Sequence, residues 1–191
     1  MTNVFLPTSD ARYDVVAIGN AIVDVISDAT DEFIVEEQLT KGGMTLIDAA
    51  RATELYAAMG VGREISGGRA ATTLAGLSLP GRPCAFVGQA AADQLGDVFT
   101  HDIRAVGIDY DVPQRKGDVP TARCLILVTP DGQRTMNTFL GATQYLPASA
   151  LDEKLISDAA ILYLEGYLWD PEEPRAAMRR AIDVAKAAGR K

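Results

Sequence analysis

At 191 residues, with 48% hydrophobic and 23% charged residues, the chain has the size and composition of one globular domain able to bury a core. Its formal net charge of −8 repels phosphate backbones and anionic lipid, which argues against nucleic acid and membrane as partners. A bound nucleotide is not excluded, because a local nest of backbone N–H groups outweighs a diffuse negative field.

Residues 1–12 are polar, contain Pro7 and lack the basic-then-apolar pattern of a secretory leader, so a loose tail is expected there. No run approaches the roughly 20 apolar residues of a membrane span. Tyr13 to Gly19 is a β-branched apolar run that predicts a buried strand, and Val23 to Ser27 predicts a second after a break at Gly19-Asn20. Asp48 opens a helix that closes at Gly60, and Ala70 to Leu79 reads as a helix directly behind Gly67-Gly68. Cys84 to Gly88 is a further buried strand. Asp93 then caps a helix carrying Leu95, Val98, Phe99, Ile103 and Val106, ended by Gly107. Cys84 and Cys124, the only cysteines, show neither zinc nor disulfide spacing and read as buried thiols in a reducing cytosol. The expected location is cytoplasmic.

The pattern changes after Gly107. Ile108 to Arg115, Ala122 to Thr129 and Arg134 to Leu140 are strand-like and joined by turn chemistry such as Pro130-Asp131-Gly132, with no helix between them. They predict an antiparallel patch beside a main α/β sheet. Alternation then returns with a helix over Leu151 to Asp158 and a strand over Ala160 to Leu164. A last helix, with Asp170 as N-cap and Pro171 at its first position, follows and ends at Gly189. No strand follows, so the sheet is expected to be unfinished.

Two constellations carry the chemistry. In Gly19-Asn20-Ala21-Ile22-Val23-Asp24, polar side chains follow the first strand, where open α/β sheets bind ligands. The Asp24 carboxylate can accept two hydroxyl hydrogen bonds from one vicinal diol, or it is simply a solvated residue on a half-exposed strand. In Ser66-Gly67-Gly68-Arg69-Ala70-Ala71-Thr72-Thr73, a glycine pair lets the backbone approach a ligand at a helix N-terminus, or forms an ordinary loop. Neither the Walker spacing nor a dinucleotide glycine fingerprint is present, which argues against a nicotinamide enzyme.

Gly-Asn-x-x-x-Asp after the first strand and Gly-Gly-x-x-x-x-Thr before a helix are followed by a strand ending in Gly88 with Asp93 and Gly96 behind it. Together they resemble the ribokinase/PfkB family of carbohydrate kinases, its adenosine-kinase-like branch above all. Lys41-Gly42-Gly43-Met44-Thr45-Leu46-Ile47-Asp48, Phe99-Thr100-His101-Asp102, Thr135-Met136-Asn137-Thr138-Phe139-Leu140-Gly141-Ala142 and Glu165-Gly166-Tyr167-Leu168 support it. The resemblance runs from about Tyr13 to the end of the chain. It implies a Rossmann-like α/β domain, helices on both faces of its sheet, with a small antiparallel β lid whose strands lie within about 20–48 and 108–140. It implies ATP, with Mg2+, as phosphoryl donor to a primary hydroxyl of a sugar or nucleoside, and a possible homodimer through the lid. Carried over by position, Asn20 and Asp24 would bind sugar hydroxyls, Gly67 and Gly68 would admit the sugar, and Thr72 would add a hydroxyl contact. Asn137, Phe139 and Glu165 would complete the substrate site.

Thr72 departs from the family, which usually has Asn there. Ala90-Ala91-Ala92-Asp93 lacks a glycine frequent in relatives, and Pro80 breaks a helix end that is smoother in them. The glycine-rich Asp-Thr-x-Gly-Ala-Gly-Asp-like motif of the family's C-terminal half does not occur in these residues, so neither catalytic base nor nucleotide site is expected within them. His101, the sole histidine, reads as structural or surface, and Arg69 as facing solvent. Two readings remain: the substrate-binding half of a kinase, or a non-catalytic sugar-binding or dimerising remnant of one.

Overall fold

Buried apolar side chains put the first strand at the heart of a parallel sheet in the computed structural model, which describes residues 11–191. In chain order the described elements are β1 (Tyr13–Ile18), β2 (Ile22–Asp28), α1 (Asp31–Glu36), β3 (Met44–Leu46), α2 (Ala49–Ala58), β4 (Arg63–Gly67), α3 (Arg69–Ser78) and β5 (Cys84–Val87). They continue with α4 (Gln94–Ala105), β6 (Ile108–Asp109), β7 (Ala122–Val128), β8 (Arg134–Phe139), α5 (Glu153–Ser157), β9 (Ala159–Leu164) and α6 (Glu172–Ala187). The expected tail lies outside the described residues up to position 10. At its end Arg12 is held, its amide donating to the Asp158 carbonyl at 2.8 Å.

The first sheet has the order β6-β5-β1-β9 and is parallel throughout. One face packs Ala17, Cys84 and Phe86 against Ala70 and Leu74 of α3 and Phe99 and Ile103 of α4. The other packs Val16, Ile18, Ala85 and Val87 against Ala177, Met178 and Ala181 of α6. Helices therefore cover both faces, as a parallel sheet requires. Phe86, Phe99 and Tyr110 form a ring trio with centroids 5.4–5.9 Å apart. The Tyr110 hydroxyl donates to the Gly88 carbonyl at 3.0 Å, which satisfies its one buried polar group.

The second sheet has the order β3-β8-β7-β2-β4. It is mixed, not purely antiparallel: β7–β8 and β2–β4 run antiparallel, whereas β2–β7 and β3–β8 run parallel. Its inner face, with Val23, Val25, Leu125 and Leu127, joins the core shared with α3 and α4.

Asp48 and Asp93 cap α2 and α4 by accepting amide hydrogens at the first turn, as their sequence positions predict, and Asp152 caps α5 in the same way. Two expectations are corrected, and one strand was not anticipated. The run Ile108 to Arg115 is strand only at Ile108–Asp109, and there it extends the main sheet beside β5 instead of the patch. Pro113 interrupts the run, and only Arg115 returns to pair with Ala91. The strand β4 was not anticipated, because Arg63-Glu64-Ile65-Ser66-Gly67 has a single large apolar residue. The last helix is capped by Pro171, which lacks a side-chain acceptor, not by Asp170. Beyond that helix, Lys191 pairs along the outer edge of β9, its amide donating to Ala160 O at 3.2 Å and its carbonyl accepting from Leu162 N at 2.8 Å. No strand follows α6 among the described residues, as the sequence pattern predicts.

One node joins the two sheets. The Asp93 carboxylate accepts from Gly96 N at 2.8 Å, Thr121 N at 2.8 Å and Thr121 Oγ1 at 2.7 Å. Thr121 Oγ1 in turn accepts from Ala91 N at 2.9 Å. The start of α4 and the entry to β7 are thereby locked together.

Candidate substrate site

The carboxyl ends of β1, β5 and β9 meet the start of α3, and glycines permit the approach. A Cβ at Gly19 would lie 2.5 Å from Ala70 Cβ and 2.7 Å from Glu165 Oε2. One at Gly88 would lie 2.6 Å from the Gly19 carbonyl. Glu165, 4% exposed, anchors its amide on the Ile18 carbonyl at 2.9 Å, and its Oε2 accepts from Asn20 N at 2.7 Å. This buried, charge-assisted bond fixes the turn that carries Asn20. Gly68 caps α3 with a φ of 88°, and a side chain there would strike the Asn20 carbonyl at 2.7 Å.

Asp24 lies on β2, level with Ile65 of β4 and Cys124 of β7. Its carboxylate sits over Gly67, where an added Cβ would come within 2.4–2.5 Å of Asp24 Cγ and both oxygens. Burial pushes its pKa from 3.8 to about 6, because desolvation disfavours the charged form. Among the described residues it has no ion pair, and a half-buried carboxylate of this kind can accept hydrogen bonds from a ligand.

The strand registers also decide which residues share the face of Asp24. Cys124 stands level with Thr138 of β8, and the Thr138 hydroxyl donates to Cys124 Sγ at 3.3 Å. Around them Ile22, Ala122 and Ile126 form a buried apolar cluster with the partly buried Met136, and the same face continues to Met44 and Leu46 of β3, 56% and 59% exposed. The sequence reading missed this surface. The alternation Ala122, Cys124, Ile126, Val128 along β7 is the signal that marks it.

Asn20, Asp24, Gly67, Gly68 and Glu165 therefore gather along one seam. Thr72 lies beside it on the first turns of α3, but its hydroxyl donates back to the Gly68 carbonyl at 2.8 Å. Asn137 and Phe139 are elsewhere. They stand level with Leu125 and Arg123, one residue out of phase with Cys124, and so lie on the opposite face of the sheet from Asp24. Arg69 is exposed, with its guanidinium over the Tyr167 ring at 5.5 Å. His101 is exposed, its ring nitrogen 3.1 Å from Asp102 Oδ1. Asp102 is the more informative neighbour, since its Oδ2 accepts from Ser66 N at 3.0 Å and tethers the strand that presents Gly67. Both cysteines are buried, and burial pushes the Cys124 thiol up to about 11. Among the described residues no three His, Cys, Asp or Glu side chains converge to hold a metal ion, and no helix is long and apolar enough to cross a membrane.

The model of the pfkB family of carbohydrate kinases matches residues 14–191. Among solved structures, an adenosine kinase from Sinorhizobium meliloti is 46% identical with a TM-score of 0.86, over 95% of this chain and 55% of that one. A probable sugar kinase from Rhizobium etli is 47% identical with a TM-score of 0.87, over 95% and 55%. Among curated proteins, the guanosine-inosine kinase of Escherichia coli is 28% identical over 90% of this chain and 42% of its own length. A probable fructokinase of Arabidopsis thaliana is 25% identical over 99% and 49%. The chain spans about half the length of the curated relatives it matches.

Proposed function

The chain belongs to the pfkB family of carbohydrate kinases, and on that premise we propose that it is the substrate-binding half of a nucleoside kinase. The observation that carries this reading is the placing of Asp24, a carboxylate with no ion pair among the described residues, on the same sheet face as the apolar cluster of Ile22, Ile126 and Met136, which the exposed Met44 and Leu46 extend. Asp24 and Asn20 suit the vicinal diol of a ribose. The apolar surface suits a flat heterocycle, and a fully hydroxylated hexose would leave it unmatched. The adenosine kinase and guanosine-inosine kinase relatives support this choice of acceptor. Glu165 positions Asn20, and Gly67 and Gly68 let the backbone close on the sugar.

ATP with Mg2+ would be the phosphoryl donor, as in the family. The described residues do not fit that role: they contain no glycine-rich anion loop and no acidic cluster for the metal. No transfer step is therefore assigned to them. Calorimetric titration of the 191-residue chain should show adenosine binding at least about tenfold tighter than ribose, since stacking a base on the apolar surface contributes about 1–2 kcal/mol. No phosphate should be transferred from ATP. Equal affinity for ribose would remove the heterocycle from the reading. A dimer whose mass is doubled, with no binding of either compound, would favour the dimerising remnant.

Thr72 supplies a second test. Its hydroxyl is committed to Gly68, whereas an Asn side chain reaches further and brings two donors and an acceptor. Thr72→Asn should therefore tighten adenosine binding by roughly two- to tenfold, the equivalent of one net hydrogen bond. Unchanged affinity would place position 72 outside the bound sugar's reach.

A further inference from the structure

Among the described residues β4 is an edge strand, paired with β2 on one side and with no strand on the other. An amide on such an open edge needs another acceptor. For Ser66 that acceptor is Asp102, whose Oδ2 takes its hydrogen at 3.0 Å. The second oxygen of Asp102, Oδ1, lies 3.1 Å from His101 Nδ1. Asp102 itself is carried by a helix that belongs to the first sheet. Phe99, three positions before it, and Ile103, next to it, are 0% and 1% exposed in the core under β1 and β5. The start of the same helix is locked by the Asp93–Thr121 node. Asp102 therefore ties the end of β4 to a frame outside its own sheet.

The residues that follow Ser66 are the glycine pair of the seam. Gly67 lies against the Asp24 carboxylate and Gly68 against the Asn20 carbonyl, each so closely that an added Cβ would come within 2.7 Å. At contacts this close, a drift of β4 would open or crowd the seam. We propose that Asp102 is a positioning residue of the substrate site, holding Ser66-Gly67-Gly68 against Asn20 and Asp24 so that a ribose meets backbone and carboxylate at a fixed spacing. A carboxylate that accepts a backbone amide makes a strong, charge-assisted bond suited to that task. This role rests on the nucleoside reading above, although one of its readouts needs no ligand.

Asp102→Ala and Asp102→Asn separate positioning from general stability, because Asn keeps a side-chain oxygen for the Ser66 amide. The Asp102 side chain is 30% exposed and alanine favours helices, so both variants should fold. In the 191-residue chain, 13C-resolved NMR of the Asp24 carboxyl should show its titration midpoint moving in Asp102→Ala from about 6 toward 3.8, as water enters beside it. In Asp102→Asn the midpoint should stay with that of wild type. Calorimetry should show adenosine affinity falling about tenfold in Asp102→Ala and recovering to within about threefold of wild type in Asp102→Asn. An Asp24 midpoint unmoved by Asp102→Ala would overturn the proposal. So would an Asp102→Asn chain that protects the Ser66 amide from hydrogen exchange yet binds adenosine no better than Asp102→Ala. A wild-type chain that binds no adenosine would remove the nucleoside reading instead, and the Asp24 titration would still decide whether Asp102 positions the seam.

Discussion

Asp24→Asn should make the chain more stable at pH 7 while weakening its binding of a nucleoside. The folded carboxyl has its pKa raised from 3.8 to about 6 by desolvation. Between those values the folded state binds more protons than the unfolded one, so stability falls as pH rises through this window. Well below the unfolded value of 3.8 the group is neutral in both states and the penalty is absent. Above about pH 6 it is complete. Two pKa units correspond to roughly 3 kcal/mol, and the partial exposure of the group reduces this to about 1–3 kcal/mol. Urea denaturation of wild type and Asp24→Asn at pH 5 and pH 7.5 should show the gap widening with pH. The same substitution exchanges a charge-assisted acceptor for a weaker one, so adenosine affinity should fall at least tenfold. Improved stability with unchanged affinity would make Asp24 a merely strained residue. No change in either would make it an ordinary solvated one.

Gly96→Ala should be among the most damaging conservative substitutions in the chain. A Cβ there would lie 2.0 Å from the Ala91 carbonyl oxygen and 3.1 Å from Thr121 Oγ1. The first turn of α4 would have to move, and the Asp93–Thr121 node would open with it. We expect a loss of about 3 kcal/mol, at the upper end of overpacking costs. Gly76→Ala is the control. It lies within α3 with nothing inside 4 Å of an added Cβ, so better helix propensity should raise stability by about 0.5–1 kcal/mol. Thermal denaturation of the two variants should therefore give shifts of opposite sign. A neutral Gly96→Ala would mean that α4 is not locked to β7 as described.

Much of the scaffold was legible because local chemistry and tertiary packing agree. The apolar runs of β1, β5 and β9 are too short and too β-branched to serve better as helices, and Asp48 and Asp93 announce helix starts by their own acceptor oxygens. The misreadings fall where a segment's state depends on a distant partner. Arg63-Glu64-Ile65-Ser66-Gly67 becomes a strand only because β2 offers an edge, and Ile108-Asp109 joins the main sheet because β5 does. Asn137 and Phe139 belong to a motif that resembles a substrate loop, yet a period-two alternation does not say which of its two faces meets the ligand.

Asn20, Asp24, Gly67, Gly68 and Glu165 form the seam at which sequence and fold make separate contributions. Their identities, and the glycine spacing that allows backbone to approach backbone, were determined by the residues alone. What only the tertiary structure decided is their contact and its consequences: Glu165 reaches Asn20 across 145 positions, and Asp24 lies over Gly67 with its charge desolvated. It also decided that an apolar surface, not further polar groups, adjoins that carboxylate. The reason is physical. Hydrogen-bonding capacity belongs to a side chain wherever it stands, whereas burial, register and electrostatic environment belong to neighbours that the chain brings together only on folding.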